Sequence, residues 1–226
     1  MLATPRPRPP DTVLGGASYL VSGLAFLVGT TQLIRLEGPG SPDLSVTLSE
    51  PSGRAAFTLM LFIFALAVVA SGAGTACLYL RLRAARPYAA LAALVLSLLA
   101  DALFLSLLTF QYTLVALVAE GLDPSGSQFH FFAVLAHAAG DFSGWISIGL
   151  WGVTSVLVAL VPSAGSTWRA VRYSAWAFVG VLLVLYLLSA SYAYLVLFAL
   201  WEVVVAVHLI QSERVGLHDV RVAPAR

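Results

Sequence analysis

Long apolar runs separated by short polar stretches make up almost the whole chain. The first run covers 13–34, about the 20 residues a helix needs to cross a hydrocarbon core. It is longer than a signal-peptide core and no A-x-A site follows it, so it is expected to remain as a helix. Five more runs, at 55–80, 87–118, 130–161, 170–189 and 192–210, are each long enough to span. The pattern predicts an all-α, polytopic transmembrane bundle of six helices, with 1–226 forming a single transmembrane domain. The third and fourth runs would each measure roughly 48 Å as helix, so they must tilt, bend or project from the bilayer.

The polar stretches set the connections. The Pro-rich start, residues 1–11, reads as a short tail that cannot continue a helix. Residues 36–53 are rich in Gly, Pro and Ser and read as a mobile extracytoplasmic loop. Ser189 to Ser191 leaves room only for a tight hairpin, which makes the last two helices antiparallel neighbours. Arginine placement gives the orientation, because cytoplasmic loops retain basic residues. Ten of the twelve basic residues fall on one side: Arg6 and Arg8, the group Arg81, Arg83 and Arg86, the pair Arg169 and Arg172, and Arg214, Arg221 and Arg226. Arg35 and Arg54 fall on the other, with the acids Glu37, Asp43, Glu50, Glu120 and Asp123. An even span count with both termini cytoplasmic satisfies that split.

Composition agrees. The chain is 60% hydrophobic and 10% charged, against roughly a quarter charged in a soluble domain. Its mean hydropathy is +0.92, so the lipid bilayer is its first partner. A net charge of +1 and the absence of lysine leave no basic surface for nucleic acid. The same absence excludes a retinal Schiff base, which needs a lysine amine. Cys77 stands alone, so there is no disulfide framework and no CxxC pattern. Lysine and asparagine are both missing, a usage that reads as the codon bias of a GC-rich bacterium and places the chain in an inner (plasma) membrane.

Three carboxylates sit inside apolar runs: Asp101, Asp141 and Glu202. A charge at the bilayer centre costs at least about 2.5 kcal/mol on insertion scales, so these side chains should face the bundle interior and find partners. Counted at 1.5 Å per residue, all three fall near the midplane. His130, His137 and Asp141, spaced by seven and four, share one helix meridian, with Trp145 one turn further. Beside them Ala136, Gly140 and Gly144 form a small-residue seam that lets another helix approach. Ser97, Asp101 and Tyr112 share a face of the third helix, with Gln111 on its flank.

The functional reading of this pattern is a proton or cation site formed by Asp101, Asp141, His137 and Glu202, with Asp101 and Asp141 facing each other. The structural reading is that these groups hydrogen-bond to neighbours and hold the bundle together. Glu202, flanked along its helix by apolar Phe198 and Ala206, fits the structural reading better. His130, His208 and Trp168 are expected at membrane interfaces, and Ser18, Ser22, Ala70 and Gly74 in packing seams. No cofactor is predicted. His137 and His208 sit near opposite ends of their helices, which does not suit bis-histidine haem, and no HExxH spacing suggests a metal. No GxSxG, P-loop or paired-Asp protease signature marks a catalytic residue.

The segments GGASYL, FFAVLAHAAGDFSGWISIGLWGV and STWRAVRYSAWAFVGVLL, in that order around a polar outer loop, resemble the DUF4386-type bacterial six-helix membrane proteins. The resemblance implies the fold and no chemistry, because that family has no established activity. The reading is therefore an integral inner-membrane protein with candidate midplane carboxylates and no identified reaction. The alternatives are a proton-coupled small-molecule carrier or ion-conducting protein, and a membrane scaffold that packs against a protein partner or a second copy of itself.

Overall fold

The structure, a computed structural model, describes residues 9–37, 43–161, 166–187 and 193–221. They form seven helices and, among the described residues, no strand: α1 (Pro9–Glu37), α2 (Leu44–Ser49), α3 (Pro51–Leu82), α4 (Pro87–Ala119), α5 (Ser127–Leu160), α6 (Ser166–Leu187) and α7 (Ala193–Arg221). Five segments are long and apolar enough to cross a membrane: Val13–Leu36, Pro51–Leu82, Pro87–Ala119, Ser127–Leu160 and Ala193–Gln211. The chain is thus an all-helical protein suited to a bilayer. The hairpin expected at Ser189 to Ser191 lies outside the described residues.

Two expectations about the connections change. The Pro-rich start was expected to stay outside a helix through residue 11, yet α1 begins at Pro9. Proline is tolerated in a first turn, where its missing N–H would have had no partner, and Pro51 and Pro87 open α3 and α4 in the same way. The second change is in the 36–53 loop, which contains the short helix α2. The Asp43 carboxylate caps it, accepting from the Ser45 amide at 3.1 Å. Thr47 and Leu48 are buried, and the Arg54 guanidinium donates to the carbonyls of Leu48 (2.8 Å) and Ser49 (3.1 Å). Arg54, assigned from sequence to orientation alone, thus terminates α2.

Gly53 packs so closely under α2 that a β-carbon there would collide with the Thr47 carbonyl. Gly53→Ala should therefore lift α2 off α3 and raise amide exchange in 44–49 by on the order of tenfold, the scale of local opening. Unchanged exchange in α2 would show that the contact does not hold it.

The long helices form a closed ring in chain order. α1 packs on α3, α3 on α4, α4 on α5, α5 on α6, α6 on α7, and α7 returns to α1. Glycines let α1 lie against both neighbours. A β-carbon at Gly74 of α3 would stand 2.8 Å from the Tyr19 ring, and one at Gly23 would stand 2.9 Å from the Ala199 carbonyl of α7. Lipid is as apolar as the helices, so such close packing, more than hydrophobic exclusion, holds them together. At the far end of α4, Gly121 turns the chain at φ 110°, and the Asp123 carboxylate accepts from the Ser125 hydroxyl (2.7 Å) and amide (2.9 Å). Those two bonds, the hydroxyl first, hold Asp123 below the usual carboxylate range, so this exposed turn keeps its negative charge.

Rings fill the centre. Phe26 of α1 is fully buried and meets Phe198 (centroids 5.4 Å), Trp151 (5.7 Å), Phe104 (5.9 Å) and Phe64 (6.0 Å), one ring from each of α7, α5, α4 and α3. Trp151 stacks on Phe198 at 4.2 Å with the planes 10° apart.

Candidate functional site

Next to this aromatic centre lies a cluster of polar side chains drawn from five helices. Glu202 of α7 is 0% exposed, and its Oε2 accepts from the Ser22 hydroxyl of α1 at 2.6 Å. Ser71 of α3 lies beside the same carboxyl. Asp101 of α4, 5% exposed, accepts at Oδ1 from the indole N–H of Trp151 at 2.9 Å. The two acids are close enough for their charges to interact. A short hydroxyl chain completes the cluster: Tyr19 Oη lies 2.9 Å from Thr75 Oγ1, which lies 3.2 Å from Ser97 Oγ, one turn before Asp101.

Each acid keeps one oxygen without a hydrogen-bond partner among the described residues: Oδ2 of Asp101 and Oε1 of Glu202. A buried polar atom left without a partner costs about 1–3 kcal/mol, and more when charged. Asp101 Oδ2 points at α3, where a β-carbon on Gly72 would stand 3.3 Å from it. Two carboxyls in an apolar bundle can hold a proton, because protonation removes a charge that the apolar surroundings make costly.

A cavity of about 180 Å³ lies between α1, α3, α4, α5 and α7, in the half of the bundle nearer α2. Phe64 and Phe104 line it and also belong to the aromatic centre, so that layer separates the cavity from the acids. Its polar lining comes from Gln111, His137, Trp145 and Tyr194, and Gly140 and Gly144 form part of the α5 wall. A second space, about 380 Å³ and apolar, opens between α5 and α6 beside Gly149 and Gly152.

The structure therefore brings together Asp101 and Glu202 but places His137 elsewhere, at the cavity and exposed. The backbone of Asp141 lies in α5, but its side chain is outside the described residues. The expected facing of Asp101 and Asp141 therefore falls on a side chain outside the described residues, while Asp101 itself meets Trp151 of α5. Within the seam, Gly140 and Gly144 both border the cavity, and a β-carbon on Gly140 would stand 2.7 Å from Leu107 Cδ1. Tyr112 does not share the inward face of Ser97 and Asp101. It is 49% exposed and packs edge-on against Phe62.

Two residues expected at the membrane interfaces are packed inward. His208 is buried against Trp168 with ring centroids 5.0 Å apart, and Trp168 is itself buried, donating its indole N–H to the Val161 carbonyl at 3.0 Å. Trp168 closes the α5–α6 connection, which is why it points inward. Sequence reasoning gave no role to Tyr19, Ser71, Thr75 or Trp151, and assigned Ser22 to a seam. The available signal for Trp151 was an indole N–H deep in a span, which needs an acceptor. Among the described residues no three His, Cys, Asp or Glu side chains gather in a way that could hold a metal ion. Compared with protein-family models, curated proteins and solved structures, the chain matches none.

Proposed function

We propose that this chain is a multi-pass inner-membrane protein of six spans, α6 being the sixth, with both termini cytoplasmic, and that its Asp101–Glu202 pair takes up and releases a proton. Arginine placement supports the orientation, and the ring order supports α6 as a span, because a helix packed between α5 and α7 shares their environment. Kinship with the DUF4386-type proteins remains part of this proposal and adds no chemistry to it. The observation that carries the proton reading is the pair of unpartnered carboxyl oxygens in one buried cluster. Such a site suits a proton-coupled carrier, in which a change of packing at the aromatic layer would admit water to the acids on one side at a time.

Infrared difference spectroscopy on the purified protein tests this, because a protonated carboxyl has its own carbonyl stretch. The expected result is a band that titrates with pH, is lost in part in Glu202→Gln and Asp101→Asn, and disappears when the two are combined. Bands indifferent to all three variants would leave the acids as packing groups and end the proposal.

A further inference from the structure

We infer that the cavity between Gln111, His137, Trp145 and Tyr194 binds a small molecule built on one ring and carrying a hydrogen-bonding group, a ligand of the phenol class. Its volume, about 180 Å³, is slightly larger than the roughly 150 Å³ cavity that accepts benzene in an engineered core. One ring with one small substituent fills such a space, whereas drug-sized pockets start near 300 Å³.

The walls indicate the chemistry. Phe64 and Phe104 form the inner side, and Trp145 and Tyr194, with ring centroids 5.8 Å apart, stand opposite each other across α5 and α7. Aromatic faces and edges on more than one side favour a flat ring over a flexible chain. The polar contribution is concentrated in the Gln111 carboxamide, which offers both a donor and an acceptor, with the His137 imidazole and the Tyr194 hydroxyl on the same cavity.

The space depends on Gly144. A β-carbon there has Tyr194 Oη as its nearest neighbour at 4.0 Å, so a larger side chain would grow into the cavity without striking the backbone. At Gly140, by contrast, an added side chain would meet Leu107 at once. The inference does not rest on the proton reading. Ligand binding without a titrating carboxyl band would leave it standing.

The test uses the full chain in lipid nanodiscs, with phenol and toluene as probes, read by saturation-transfer NMR and by the shift in melting temperature. Phenol should bind roughly tenfold more tightly than toluene, the scale of a satisfied hydrogen bond. Gly144→Leu should abolish specific binding, Gly144→Ala should weaken it, and Gln111→Leu should erase the preference for phenol while toluene still binds. If Gly144→Leu does not fold, Gly144→Ala and Gln111→Leu still decide. Failure of phenol to bind, equal binding of phenol and toluene to the wild type, or phenol binding indifferent to the alanine and Gln111 variants would each overturn the assignment.

Discussion

Phe26→Ala is expected to lower the melting temperature of the purified protein by roughly 10 °C, the largest loss from any single aromatic truncation. A buried Phe→Ala change costs about 3–5 kcal/mol, and a chain of this size loses about 2–4 °C per kcal/mol. Phe26 is at the high end because its ring meets one aromatic from each of four other helices, and such pairs add about 0.5–1.5 kcal/mol beyond area. The loss is one of packing. Lipid cannot enter the centre of the ring to replace the missing contacts. Leu24→Ala provides the control, since Leu24 is on the same helix but 52% exposed, where an acyl chain can take the place of the side chain. Its melting temperature should stay within about 2 °C of wild type. Equal losses for the two variants would show that Phe26 is not the hub of the bundle.

The helices were legible because hydropathy and length act locally. The predicted runs at 87–118 and 130–161 match α4 and α5 to within a few residues. α2 was not legible. Six residues cannot signal a helix by periodicity, and its support comes from Gly53 and Arg54 on the next element. For the site, the carboxylates stood out as costly in an apolar run, but their partners did not. Glu202 was discounted because its own helix offered apolar neighbours at i−4 and i+4. An inward-facing side chain looks across to other helices, and its partner proved to be Ser22, 180 positions away. Asp101 was matched with Asp141 on depth, on the antiparallel run of consecutive helices and on the polar groups along each face; the partner the structure gives Asp101 is the Trp151 indole, and an indole deep in a span is a signal that was passed over.

Trp151→Phe should lower the melting temperature by several degrees, although it removes little apolar area, and the loss should depend on Asp101. Phenylalanine can keep the face-to-face contact that Trp151 makes with Phe198 but not the N–H that reaches Asp101 Oδ1. Asp101 Oδ2 already lacks a partner, so the variant leaves the whole carboxyl unsatisfied, at a cost of about 1–3 kcal/mol. Asp101→Leu removes the stranded acid, so Trp151→Phe should cost much less in that background. The double-mutant cycle should give a coupling of about 1–3 kcal/mol, within the range found for contacting residues. Asp101→Asn separates stability from proton binding. Its amide oxygen can still accept from Trp151, so the melting temperature should stay close to wild type while the titrating carboxyl band is reduced. Additive losses in the cycle would mean that the indole N–H contributes nothing through Asp101. A full-sized loss of stability in Asp101→Asn would mean that the acid is held there for its charge, in conflict with a site that works by being protonated.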